Sequence, residues 1–72
     1  MKKEMVSVKL GNKIKELRTY KKYSQESFAD KIGIHRTYMG AIERGEKNIT
    51  IVTAKRISEG LDMSLSELLN EI

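Results

Sequence analysis

The chain has 72 residues and a net charge of +4, with an isoelectric point near 9.5, one histidine, no cysteine and no proline. That length suggests one domain of marginal stability. Without cysteine there is no disulfide or thiolate metal site, and a lone histidine makes no metal cluster, so stability must come from helix packing or dimerisation.

No apolar run approaches the ~20 residues of a membrane span. The opening stretch M-K-K-E-M-V-S-V-K-L-G is too short and too charged for a secretory signal, so a cytoplasmic protein is expected. Charge is unevenly spread: residues 1–22 carry a net +6, residues 23–48 are neutral, and residues 49–72 carry −2. One end therefore attracts a polyanion and the other does not. No paired carboxylates, nucleophile–base pair, metal cluster or phosphate loop is present, so neither an enzyme nor a cofactor is expected.

In chain order, Leu10, Ile14 and Leu17 recur at helical spacing and predict a first helix over residues 9–22. Residues 1–8 are an N-terminal extension, either frayed or an added turn of that helix. Ser24 predicts an N-cap, because its hydroxyl can accept a free backbone N–H of the next helix. Phe28, Ala29 and Ile32 form that second helix's inner face, and Gly33 marks its stop, since glycine enters the left-handed conformation without strain.

A third helix is expected over residues 35–44, ending at Gly45, followed by a polar loop over residues 45–48. Thr50 is the expected cap of a fourth helix with Ile51, Ala54, Ile57 and Leu61 inward. A break at residues 62–64 precedes a fifth helix bearing Leu65, Leu68, Leu69 and Ile72. Five short helices with short loops imply a compact all-α domain.

The third helix carries the information. At about 100° per residue, Arg36, Gly40, Arg44, Thr37 and Ala41 fall on one side, and Tyr38, Ile42, His35 and Met39 on the other, with Glu43 at the border. Met39 and Ile42 anchor the helix, while Gly40 and Ala41 keep its outer face low enough for a DNA edge to approach. The Arg36 guanidinium matches the O6/N7 acceptor pair of guanine, and Thr37 can offer a hydroxyl to a base or a methyl to thymine. Taken alone, an exposed Arg–Thr pair is more often ordinary surface. Their place at the start of the second helix of a two-helix motif favours base reading. Gln25 could hydrogen-bond phosphate beside the free N–H groups of the second helix. Arg44, Lys47 and Asn48 could clamp the backbone. His35 reads as a partly buried spacer or phosphate contact, and Tyr38 as either core or a backbone contact.

These residues resemble the Cro/lambda-repressor-like helix-turn-helix (XRE-type) family. The run S-Q-E-S-x-A-D-K-x-G is similar to a phage repressor pattern. The run R-T-Y-M-G-A-I-E-R-G-E-K-N-I-T resembles the restriction–modification controller proteins. The likeness covers residues 9–72. It implies a five-helix lambda-repressor-like domain whose third helix enters the major groove. It also implies base reading by Arg36 and Thr37, with Ala41 on the same face, and DNA backbone contacts by Gln25, Arg44, Lys47 and Asn48, to which the reading of their own side chains adds His35 and Tyr38. A salt bridge between Arg18 and Glu43 is implied beneath the third helix. Members usually bind DNA as homodimers through their C-terminal helices, which makes Leu65, Leu68, Leu69 and Ile72 the expected interface. Glu26 and Asp30 lie where activating relatives carry an acidic patch that touches RNA polymerase. The implied function is a sequence-specific duplex-DNA regulator that binds a palindromic operator and regulates its own promoter. A phage Cro-like repressor and an autoregulating antitoxin that binds a toxin protein are the alternatives.

Overall fold

A computed structural model describes residues 5–72 as five helices: α1 (Met5–Tyr20), α2 (Gln25–Ile32), α3 (Arg36–Glu43), α4 (Ile51–Gly60) and α5 (Leu65–Leu69). No strand occurs among the described residues, and none of their helices is long and apolar enough to cross a membrane. The all-α expectation therefore holds.

The first helix already includes Met5, the first described residue, earlier than its apolar stripe predicts, and ends at Tyr20. Residues 5–8 are thus helix rather than a frayed extension; residues 1–4 of the expected extension lie outside the described residues. The stripe gave no sign of this first turn because the turn packs beside the loop after α3 rather than on the main core. Leu10 and Ile14 are buried and Leu17 half-buried, as their spacing requires.

Ser24 caps α2, with its Oγ accepting the Ser27 N–H while the Ser27 hydroxyl accepts the Ser24 N–H in return. Gly33 closes α2 with φ 78°, and its N–H reaches the carbonyls of Ala29 and Asp30. Thr50 caps α4 through the Thr53 N–H, and Ser64 with Glu67 forms a second reciprocal cap on α5. Lys13 donates from Nζ to the carbonyls of Glu67 and Asn70, both at 2.9 Å, and so satisfies the open end of α5 from across the fold.

Phe28, Ile14, Met39, Ile57, Leu61 and Leu68 are fully buried and join all five helices in one core. Tyr23 stands at its rim, with its ring 5.5 Å from that of Phe28.

Three expectations fail here. Ile51 is 69% exposed rather than inward. It lies roughly 90° around α4 from the direction shared by Ala54, Ile57 and Leu61, at a helical turn of about 100° per residue. Leu68 is fully buried within the monomer, so it belongs to the core and not to a dimer interface. Ile72 follows a turn in which Glu71 has φ 65°, so it packs on the core from beyond α5 rather than from its surface.

Candidate nucleic-acid interface

Helices α2 and α3 are joined by the short turn Gly33–Ile34–His35, and α3 packs on both α1 and α2. Met39 and Ile42 are buried on its inner side. A second anchor is backbone. A side chain at Gly11 of α1 would strike the Ile42 carbonyl oxygen and lie 2.8 Å from that of Glu43, so only glycine lets α1 seat directly on the end of α3.

A polar knot fixes the same end. Arg18 donates from Nε to Glu43 Oε2 at 2.6 Å and from Nη2 to Oε1 at 3.0 Å. Gln25 adds a bond from Nε2 to Glu43 Oε1 at 2.9 Å, and Arg18 Nη1 reaches the Tyr23 carbonyl at 2.7 Å. Side-chain exposure is only 9% for Arg18 and 2% for Glu43. The expected pair is therefore present and buried. A buried carboxylate needs several donors, and this one has three. Gln25 is the partner that the sequence did not reveal: its side chain lies exposed at the start of α2 yet touches the buried pair.

From this seat α3 presents its first residues outward. Arg36 is the first residue of the helix, with its side chain 66% exposed, and Thr37 follows it on the surface. The Arg36 guanidinium lies 3.8 Å from Glu26 Oε1 of α2. His35 stands before the helix rather than within it. It is exposed, and its Nδ1 accepts the Thr37 N–H at 3.1 Å as the N-cap. With Nδ1 engaged at the cap, Nε2 is the ring nitrogen turned away from it. The expected partly buried spacer is thus a surface cap. Tyr38 is half-buried against the core cluster.

Two further expectations are corrected on this face. Ala41 is 7% exposed, so it lies beneath the surface and offers bases almost nothing. Gly40 does not form an open floor either. A Cβ there would meet Arg44 Nη1 at 3.1 Å and the Gln25 amide oxygen at 3.6 Å, because both long side chains fold over it. Arg44 reaches back along the helix, as helical side chains do. It also pairs with Glu46 at 2.9 and 3.2 Å across the Gly45 turn, which raises the already high pKa of its guanidinium. Lys47 and Asn48 are exposed in the following loop, and Asn48 Oδ1 accepts a hydrogen bond from the Ser7 hydroxyl of α1 at 2.7 Å. Ser7 and Glu46 are the residues that sequence reasoning passed over. Ser7 meets a loop residue 41 positions away, and Glu46 meets Arg44 across a turn, so helical periodicity encodes neither contact.

Gln25, His35, Arg36, Thr37, Arg44, Lys47 and Asn48 are all exposed along α2, α3 and the loop after them. No cluster of three metal-ligating side chains occurs among the described residues. The exposed set offers donors and cations, the groups that phosphates and guanine edges accept.

The helix-turn-helix family HTH_3 matches residues 14–68. The control protein C.MunI of Mycoplasma sp is 46% identical over 68 residues, spanning 93% of this chain and 92% of the relative. Among solved structures, the restriction–modification controller protein C.AhdI of Aeromonas hydrophila superposes with a TM-score of 0.83. It is 40% identical over 86% of this chain and 94% of its own. The biofilm master regulator SinR, solved in complex with DNA, gives 0.80 at 35% identity, covering 85% of this chain and 98% of that one. The chain belongs to the helix-turn-helix family of DNA-binding transcriptional regulators and is closely related to the restriction–modification control proteins.

Proposed function

We propose that the protein is a restriction–modification controller that binds a palindromic operator as a homodimer and regulates its own promoter in the cytoplasm. The observation that carries this reading is the contrast across α3. Its back is locked by Gly11, Met39, Ile42 and the Arg18–Glu43–Gln25 knot, while Arg36 and Thr37 stand exposed at its start, Arg36 held only by a loose surface pair with Glu26. A rigid helix with an exposed Arg–Thr edge suits the major groove, where Arg36 would take guanine and Thr37 a neighbouring base. Gln25, His35, Arg44, Lys47 and Asn48 would hold the flanking phosphates, with Tyr38 adding its hydroxyl at the edge of the contact.

The dimer would draw on the exposed or half-exposed apolar residues Leu65, Leu69 and Ile72, joined by Ile51 and Val52, which are 69% and 63% exposed. The net negative charge of residues 49–72 agrees with that end facing away from DNA.

Glu26 and Asp30 would form the surface offered to RNA polymerase, but they are not equivalent. Glu26 lies beside Arg36, so reversing its charge would disturb base reading as well. Asp30→Lys is the cleaner variant: it is expected to abolish activation while leaving operator affinity intact, and a parallel loss of both would remove the separate role.

The decisive experiment is selection from a random duplex library followed by sequencing. A palindromic motif with half-sites about ten base pairs apart supports a dimeric operator-binding regulator. Survivors without a motif would overturn it.

A further inference from the structure

The start of α1 is tied to the loop after α3 by a polar contact spanning 41 positions of sequence: the Ser7 hydroxyl donates to Asn48 Oδ1 at 2.7 Å. The contact is held in place by its surroundings. Gly45, with φ 75°, approaches α1 so closely that a Cβ there would lie 2.8 Å from Val8 Cα. Val6, Ser7 and Leu10 of α1 face Lys47, Asn48 and Ile49 across a shared cleft. Ser7 is half-buried in that cleft, whereas Asn48 is exposed.

An asparagine amide carries an acceptor at one end and two donors at the other. Its two orientations differ by a half-turn and present opposite chemistry to the same point in space. A phosphate oxygen accepts hydrogen bonds, so one orientation attracts it and the other repels it. With Oδ1 held by Ser7, the Nδ2 end is the one left for solvent.

We propose that Ser7 is a positioning residue for DNA binding, holding the Asn48 amide with its donors outward toward a phosphate. This rests on the reading of Asn48 as a backbone contact given above. Ser7 itself need not touch DNA. The first turn of α1 thereby becomes part of the DNA-binding apparatus, a role that the apolar stripe of that helix does not suggest. Because the contact is to phosphate, it adds affinity on any bound sequence and leaves base preference alone.

The test is a double-mutant cycle on the duplex returned by the selection. Asn48→Ala is expected to weaken binding about tenfold, the worth of a hydrogen bond near 1.4 kcal/mol. Ser7→Ala, which leaves the amide present but free to turn, is expected to weaken binding about threefold. The double variant should bind no more weakly than Asn48→Ala alone, and Ser7→Thr, which keeps the hydroxyl, should restore wild-type affinity. A Ser7→Ala loss that persists in the Asn48→Ala background would mark general destabilisation of α1 and overturn the proposal. So would a silent Ser7→Ala beside a weakened Asn48→Ala. A silent Asn48→Ala would remove the phosphate reading itself, and the role of Ser7 with it.

Discussion

Arginine faces glutamate at the back of α3 and again along its front, and the two settings give the same chemistry different consequences. Behind α3, Arg18 and Glu43 meet at 2.6 Å with side chains 9% and 2% exposed, and Gln25 completes the shell of donors. In front, Arg36 lies 3.8 Å from Glu26 with both side chains about two-thirds exposed, and Arg44 meets Glu46 at 2.9 Å on the surface. Water stands ready to replace either front partner but cannot reach the rear pair. The rear pair therefore fixes where α3 sits, while the front pairs hold side chains that can be released to a ligand. Distance alone does not separate these roles, since Arg44–Glu46 is nearly as short as Arg18–Glu43; burial does.

Removing one partner from each side gives the largest contrast. Glu43→Ala strands a buried guanidinium and is expected to cost about 3–5 kcal/mol of stability, read as a lowered melting temperature. Equal melting curves for Glu43→Ala and Glu46→Ala would erase the distinction. Next in size is Arg36→Ala, expected to cost about 1–3 kcal/mol of operator binding and to relax preference at one base, with the fold unchanged. A variant that keeps wild-type selectivity would show that Arg36 does not read bases. Glu46→Ala should change stability by less than about 1 kcal/mol, as exposed pairs do.

The smallest effect concerns pH. Glu67 accepts the Ser64 N–H at 2.8 Å, and this bond, with the Ser64 side chain, lowers its pKa from the ordinary 4.5. A carboxylate with a depressed folded pKa stabilises fully above its unfolded value and loses that contribution as pH falls through the folded one. The melting-temperature advantage of the wild type over Glu67→Ala should thus be complete above pH 4.5 and close below it. A gap independent of pH would mean that the cap does not depend on the carboxylate.

Much of this architecture was legible in the sequence because it is encoded locally. Ser24, Thr50 and Ser64 mark helix starts, Gly33 and Gly45 mark ends, and the burial of Leu10, Ile14, Met39 and Ile42 follows from spacing of three and four residues. The misreadings share a cause. A helical wheel gives the direction of a Cβ but not what long neighbours do afterwards. Ala41 and Gly40 point toward the outer side yet are buried, and Gly40 lies under Arg44 and Gln25. Leu68 and Ile51 show the complementary error. Which half of an apolar stripe meets the core depends on how the helix is rotated, and only the tertiary packing of α4 and α5 sets that. The partners Ser7–Asn48 and Gln25–Glu43 join residues distant in sequence, so no local signal could have found them.

Gly11 bears on how such a protein can change its target. It brings the bare backbone of α1 against the carbonyls of Ile42 and Glu43, a contact that reads no side chain on the outer edge of α3. Residues 36 and 37 can therefore be exchanged for other amino acids while the helix stays docked at the same depth and angle. With Arg36 and Thr37 as the proposed base readers, one or two substitutions there would be enough to change the operator. Replacing Gly11 would do the opposite, shifting the whole helix and altering every contact at once. A library randomised at residues 36 and 37 with Gly11 held constant should be rich in folded proteins of altered sequence preference.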